Sequence, residues 1–533
     1  MGTQNIFDVA EKINIKKEYL IPYGYDKAKI DFSILNTIKD KENGKYIAVT
    51  AMTPTPYGEG KTTVAIGLSM ALSKIKNTIL TLREPSLGPV FGLKGGGTGG
   101  GLSKVSPDID INLHFTGDIH ACTAAQNLLV AIIENHIKFD NPLNIDISKI
   151  CIPRILDIED RSLRHIIAGI GGGQNGILRE SSFDITASSE IMAILSLATD
   201  LKDLKKRLQN MIIAFDNKKK PVRVEQLNIA GSLMALLINA LKPNLVQTIE
   251  GTPCIIHTGP FANLSHGCSS VIADKVALKL ADYVVTEAGF GSDQGFEKLV
   301  DIKCRSSNLE INCAVLVCTL RAIKYHNEGN NGGYKNLKKH IDNIHLFGVP
   351  IIVAINKFKD DSDDELMKII DYALNNGADE AVVVDPFNEG SNGCSMLAEK
   401  VVDISSRKNK FSFSYDISKH IKEKIETISC NIYGAKRVLY STEAEKSIRL
   451  LEELNIYNCP VNIAKTPLSL SDNPKLKGCP EYFDLFVKSV RVMAGANYIL
   501  AIAGDILTMP GLPKFIGAYK IDVDDTGNII GLF

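Results

Sequence analysis

Between Val49 and Thr63 the chain reads Val-Thr-Ala-Met-Thr-Pro-Thr-Pro-Tyr-Gly-Glu-Gly-Lys-Thr-Thr. These are the residue types of a phosphate cradle. Gly58 and Gly60 let the backbone turn so that successive N–H groups face an anion. Lys61 can reach the β- and γ-phosphates of a nucleotide, and the Thr62 hydroxyl is placed to hold Mg²⁺. The cradle is therefore expected from Thr55, Pro56, Tyr57, Gly58, Glu59, Gly60, Lys61 and Thr62. The usual spacing of such loops wants glycine at position 55. A β-branched threonine there disfavours a left-handed backbone, so the loop must open differently. An ordinary strand-turn-helix with an exposed lysine would share part of this pattern. The flanks argue for the cradle: Lys45-Tyr-Ile-Ala-Val49 reads as a buried strand, and Val64 to Leu72 has the apolar spacing of a helix.

A second chemical cluster follows the next apolar run, Thr78 to Arg83. Arg83 and Glu84 stand at the carboxyl end of that predicted strand, where open α/β sheets place their ligands. The run Gly95-Gly-Gly-Thr-Gly-Gly-Gly101 comes soon after. Glycine this dense can be a linker, but its position favours a loop that lets backbone approach a ligand. Glu287-Ala-Gly-Phe-Gly-Ser292 offers a similar approach through Gly289, Gly291 and Ser292, or else forms a tight structural turn.

The elements that must position these groups alternate. Strand-like runs at 254–257, 283–286, 314–319, 350–355 and 381–384 are separated by helical patterns at 270–281, 333–347 and 363–375. Fully apolar strands alternating with helices predict a mostly parallel sheet of the P-loop NTPase-like kind, with helices on both faces and smaller α/β domains around a cleft. The expected division is a large nucleotide-binding α/β domain over 1–340 with a helical insertion near 157–241, a second α/β domain over 341–430, and an α+β domain over 431–533.

With 533 residues the chain can bury several cores, and its formal net charge of -1 gives no electrostatic reason to expect nucleic acid or an anionic membrane as partner. No apolar run reaches membrane length, and Met1 to Asp8 lacks a basic-then-apolar leader. The 11 cysteines are scattered without metal-ligand spacing, so a reduced, cytoplasmic setting is expected.

Several stretches together resemble the formate–tetrahydrofolate ligase family. They include Thr53 to Thr63, Arg83-Glu-Pro-Ser-Leu-Gly-Pro89, Asp110-Ile-Asn-Leu-His-Phe-Thr-Gly-Asp118, Gly259-Pro-Phe-Ala-Asn263, Thr286 to Gly291, Asp301-Ile-Lys-Cys-Arg305 and Thr508 to Lys514. The resemblance runs to the terminal Gly531-Leu-Phe533. It implies ATP-dependent joining of formate to tetrahydrofolate through formyl phosphate, with Lys61, Arg83 and Asp118 catalytic. It also implies a monovalent cation (K⁺ or NH₄⁺) beside Glu84 and a homotetramer. By position Asp118 would contact the pterin or orient Arg83, and Glu59 would serve a Mg²⁺-bound water or remain a solvated loop carboxylate. His114, His120, His257 and His266 read as structural imidazoles.

The chain departs from the family pattern on the folate side. It contains no tryptophan, and the stacking positions carry Phe358 and Phe387. Leu102-Ser-Lys104, Asp274 and Lys359 also differ from the usual residues. A diverged enzyme with another acceptor, or a P-loop ATPase switch, are the alternatives.

Overall fold

Seven apolar runs become parallel neighbours in one sheet: β1 (Lys45–Ala51), β2 (Thr78–Leu82), β3 (Pro253–Ile256), β4 (Tyr283–Glu287), β5 (Cys313–Cys318), β6 (Ile351–Asn356) and β7 (Glu380–Val384). Their spatial order is β3-β2-β4-β1-β5-β6-β7 in this computed structural model, which describes residues 3–92, 96–327 and 332–532. Antiparallel strands Asn244–Thr248, Ala28–Ile30 and Leu20–Pro22 extend the β3 edge in turn. The sheet is thus mixed but mostly parallel, in an α/β chain. The sequence runs place each parallel strand to within one or two residues.

Alternation along the strands divides the core in two. Ile47, Val49 and Ala51 of β1 face one apolar layer with Leu80, Val285 and Val315, while Tyr46 and Ala48 face the other with Ile79, Val284 and Leu316. Helix α1 (Lys61–Ser73) lies in the first layer, buried from Val64 to Leu72 without a polar stripe. A helix apolar all round must be covered on all sides. Gly67 permits that cover: a Cβ there would lie 2.5 Å from Pro386 Cβ.

Segment 341–430 adds β6 and β7 to the edge of this same sheet. The stretch near 157–241 mixes short strands with helices, among them Glu190–Leu197, Leu201–Asn210 and Ala230–Leu237. Residues 437–503 form a separate four-stranded sheet, Arg437–Tyr440, Asp484–Met493, Tyr498–Ala503 and Val461–Ala464 in spatial order, covered by helix Thr442–Glu453. Among the described residues no helix is long and apolar enough to cross a membrane.

The sheet crosses over at its centre. β1 connects toward β2 on one side, and the neighbouring β5 connects toward β6 on the other. Such a switch opens a crevice at the carboxyl ends of the strands. Asp274 belongs beneath that crevice, in the core. It ion-pairs with Lys303 and accepts from the Tyr46 hydroxyl, with all three side chains shut off from solvent. The unusual aspartate is therefore matched by a buried lysine and lies away from the folate-side departures. Asp274→Ala, leaving the Lys303 ammonium buried and unpaired, should cost about 3–5 kcal/mol, read as a lower midpoint of chemical unfolding. Asp274→Leu combined with Lys303→Met should recover most of that loss.

Candidate active site

The sequence expects the loop after β1 to open without glycine at position 55, and it does. The left-handed residues are Gly58 (φ 77°) and Gly60 (φ 68°). Thr55 instead starts a turn closed by Gly58 N donating to Thr55 O at 3.3 Å. The Thr55 N–H and hydroxyl both donate to Glu59 Oε1, at 3.0 and 2.6 Å. Thr319, one residue beyond β5, donates to the other Glu59 oxygen. Glu59 is thus a buried brace that shapes the loop and not a solvated carboxylate. Among the described residues no side chain caps α1 at Gly60, so its first-turn N–H groups and the positive end of its dipole are available to an anion. Thr62, half-buried on that turn, stands beside Lys61.

Lys61 and Arg83 converge on one turn. β4 lies between β1 and β2, and the chain after β4 bends through Glu287 to Phe290. Lys61 Nζ donates to Phe290 O at 3.0 Å and lies 3.6 Å from Glu287 Oε1. From the opposite flank, Arg83 comes so close to Gly289 that a Cβ there would sit 3.2 Å from its Nη2 and 2.4 Å from Ala262 Cβ. Arg83 Nη1 donates to Pro260 O at 3.1 Å, and the guanidinium has no ion pair among the described residues. Both cations also act electrostatically on buried Cys268. Gly289 and Gly291 are packed against protein, and Ser292 Oγ bonds His340 Nδ1 at 2.7 Å. This segment is a tight turn, and its Phe290 carbonyl accepts from Lys61.

Glu84, next to Arg83, is buried and its Oε2 has no hydrogen-bond partner among the described residues. Burial first, then the charges of Asp118 and Asp157, hold its carboxyl well above the usual range, with Lys29 opposing them. Asp118 does not touch Arg83. Its oxygens take Lys29 Nζ at 2.7 Å and Asn244 Nδ2 at 2.8 Å, at the start of the 21-residue helix Asp118–Lys138. Asp157 accepts from Ser86 Oγ at 2.7 Å and Leu87 N at 2.9 Å, and burial pushes it up to about 6.

Phe358 and Phe387 follow β6 and β7 at the same edge. Arg321, from the short helix after β5, lies 4.4 Å from the Phe358 ring centre. Phe387, 55% exposed, sits on the glycine hairpin: Leu102 N donates to its carbonyl at 2.8 Å, and a Cβ on Gly101 would lie 2.1 Å from that oxygen. Ser103 Oγ fixes the preceding turn through Pro386 O at 2.8 Å. The altered Leu102–Ser103 stretch thus carries Phe387. Residues 93–95, where the glycine run begins, lie outside the described residues.

A family model for formate–tetrahydrofolate ligase matches residues 1–533, the full chain. The chain belongs to the formate–tetrahydrofolate ligase family. It is therefore a ligase acting on formate and tetrahydrofolate.

Within this ligase the sequence missed the groups that come from distant strand ends. Thr319 braces Glu59. Asn356 Nδ2 donates to Glu59 O at 3.1 Å and closes on Gly60, where a Cβ would meet it at 2.4 Å. His340 lies under the loop, bonding Thr53 Oγ1 at 2.9 Å through Nε2. The one available signal was their position just after apolar strands or facing them. His340 and His257 are wholly buried, and burial lowers each to about 4. Unfolded, each imidazole protonates near 6.5. Between pH 6.5 and 4 the unfolded chain therefore binds more protons, and the stabilisation from each neutral histidine is lost as pH falls. The difference in unfolding midpoint between wild type and His340→Gln should shrink from pH 7 to pH 4.5.

Proposed function

We propose that this enzyme uses ATP to activate formate as formyl phosphate and transfers the formyl group to N10 of tetrahydrofolate, releasing ADP and phosphate. The observation that carries this reading is the approach of Lys61 and Arg83 to one turn from opposite sides, at the mouth of an uncapped helix N-terminus. Formate is a poor acyl donor because an amine cannot expel oxide from it. Attack by a formate oxygen on the γ-phosphorus forms a P–O bond and breaks the bond to ADP. The N10 amine then attacks the formyl carbon, phosphate leaves, and the amine loses its proton. Each step moves negative charge through the same few ångströms, which is where fixed cations act best.

The nucleotide phosphates fit the loop of residues 55–60 and the first turn of α1, with Lys61 on the γ-phosphate. Thr62 is the residue that would hold Mg²⁺, which neutralises the phosphate oxygens. Arg83, whose planar fork suits a phosphoryl group or a tetrahedral oxyanion, faces the formyl phosphate. Its present acceptor, the Pro260 carbonyl, is a weaker partner than either anion. Glu84 suits a monovalent cation: its unpartnered oxygen and its repulsion from Asp118 and Asp157 would both be relieved by positive charge. Asp118 then acts by holding Lys29 and by shaping the field at Glu84, in place of orienting Arg83. Phe358 and Phe387, on adjacent strand ends, supply the apolar faces for the pterin. A cytoplasmic homotetramer is the setting that accompanies this reading, and the eleven free cysteines suit a reducing compartment.

In the purified protein, ADP release should require formate and tetrahydrofolate together. Lys61→Ala and Arg83→Lys should each lower turnover by on the order of 10²–10³-fold or more, with circular dichroism unchanged. Nucleotide hydrolysis that neither substrate stimulates would overturn the assignment.

A further inference from the structure

Arg321 stands between the two halves of the site. It is the second residue of the helix Leu320–Tyr325, which Thr319 caps by accepting from Ala322 N at 2.9 Å. The helix starts where β5 ends, next to β1 on one side and β6 on the other. From there the guanidinium reaches both. Nη2 donates to Gly58 O at 2.5 Å, in the middle of the loop. Its Cζ lies 5.6 Å from the Tyr57 ring centre and 4.4 Å from that of Phe358. Its Nε, shut off from solvent, has no partner among the described residues. The side chain therefore forgoes one hydrogen bond in a position close to both rings.

We propose that Arg321 is a positioning residue that couples nucleotide binding to tetrahydrofolate binding. This rests on the proposed function, with phosphates at the loop and the pterin at Phe358. The physical link is short. Tyr57 is 71% exposed and belongs to the loop that must close on phosphate, so nucleotide fixes its orientation. The Gly58 carbonyl and the Tyr57 face then hold the guanidinium, whose other face fixes the Phe358 ring. A fixed ring binds a pterin with less ordering cost than a mobile one. Planarity is essential to the device, because one flat cation must stack on a ring and donate in its own plane at once.

The test is a binding cycle by calorimetry with a non-hydrolysable ATP analogue and tetrahydrofolate. In wild type the analogue should tighten tetrahydrofolate on the order of tenfold, and tetrahydrofolate should tighten the analogue by the same factor, as linkage requires. In Arg321→Ala both factors should fall toward one, while analogue affinity without folate stays near wild type. In turnover the Michaelis constant for tetrahydrofolate should rise about as much as the coupling is lost, with a smaller change in kcat. Arg321→Lys keeps the charge and loses the fork, and should restore little of the coupling. If Arg321→Ala does not fold, Tyr57→Leu, which removes the exposed ring, should likewise bring both coupling factors toward one, measured against that variant's own affinities for each ligand alone. A coupling factor unchanged in either variant, or absent from wild type, overturns the proposal. Failure of wild type to bind tetrahydrofolate at all would instead overturn the functional reading beneath it.

Discussion

The order of strands at the centre of the sheet is the constraint on which the site depends. Because β4 lies between β2 and β1, the residues leaving the carboxyl ends of those two strands must flank the turn that leaves β4. Lys61 and Arg83 meet there from opposite sides. Two like charges held close repel, so each has its own acceptors: the Phe290 carbonyl and Glu287 at the end of β4 for Lys61, and the Pro260 carbonyl, from the loop after β3, for Arg83. Neutral carbonyls are weaker partners for these cations than phosphoryl or carboxylate oxygens. A ligand carrying such oxygens can therefore displace them, and the repulsion between the two cations becomes attraction shared by one anion.

The same edge continues in register past the centre. Arg83, Glu287, Lys61, Arg321, Phe358 and Phe387 follow the ends of β2, β4, β1, β5, β6 and β7 in that spatial order. Five inter-strand steps of about 4.8 Å give a row of roughly 24 Å, long enough for a charged centre and an aromatic end. Beneath it the loop is held from below by buried hydrogen bonds. Thr319 and Asn356 fix Glu59, while Asn336 and His340 fix Thr53. Donors fixed this way need little reorganisation when charge develops, which is the principal source of electrostatic catalysis.

Local signals in the sequence carried the strands and the loop glycines well. β1 through β7 are apolar runs that nothing but a two-sided sheet could bury, so their positions were legible to a residue or two. Gly58 and Gly60 were legible because left-handed backbone has few other solutions. Glu59 was misread because its partner Thr319 lies 260 positions away, and a carboxylate in a glycine-bearing loop looks alike whether solvated or buried. Asp274 was misread for the same reason: its ion pair with Lys303 depends on a helix packing that periodicity does not specify. Arg321 was invisible because its role comes from β5 inserting between β1 and β6, a fact of sheet order with no trace in the local sequence.

One reacting group must satisfy both central cations. A crystal structure with a non-hydrolysable ATP analogue and formate would decide it by the distances from the γ-phosphoryl oxygens to Lys61 Nζ and to the Arg83 guanidinium. Both should lie within about 3 Å, with the Phe290 and Pro260 carbonyls released. Lys61 on the phosphates with Arg83 still bound to Pro260, and no ligand oxygen near it, would contradict the central claim.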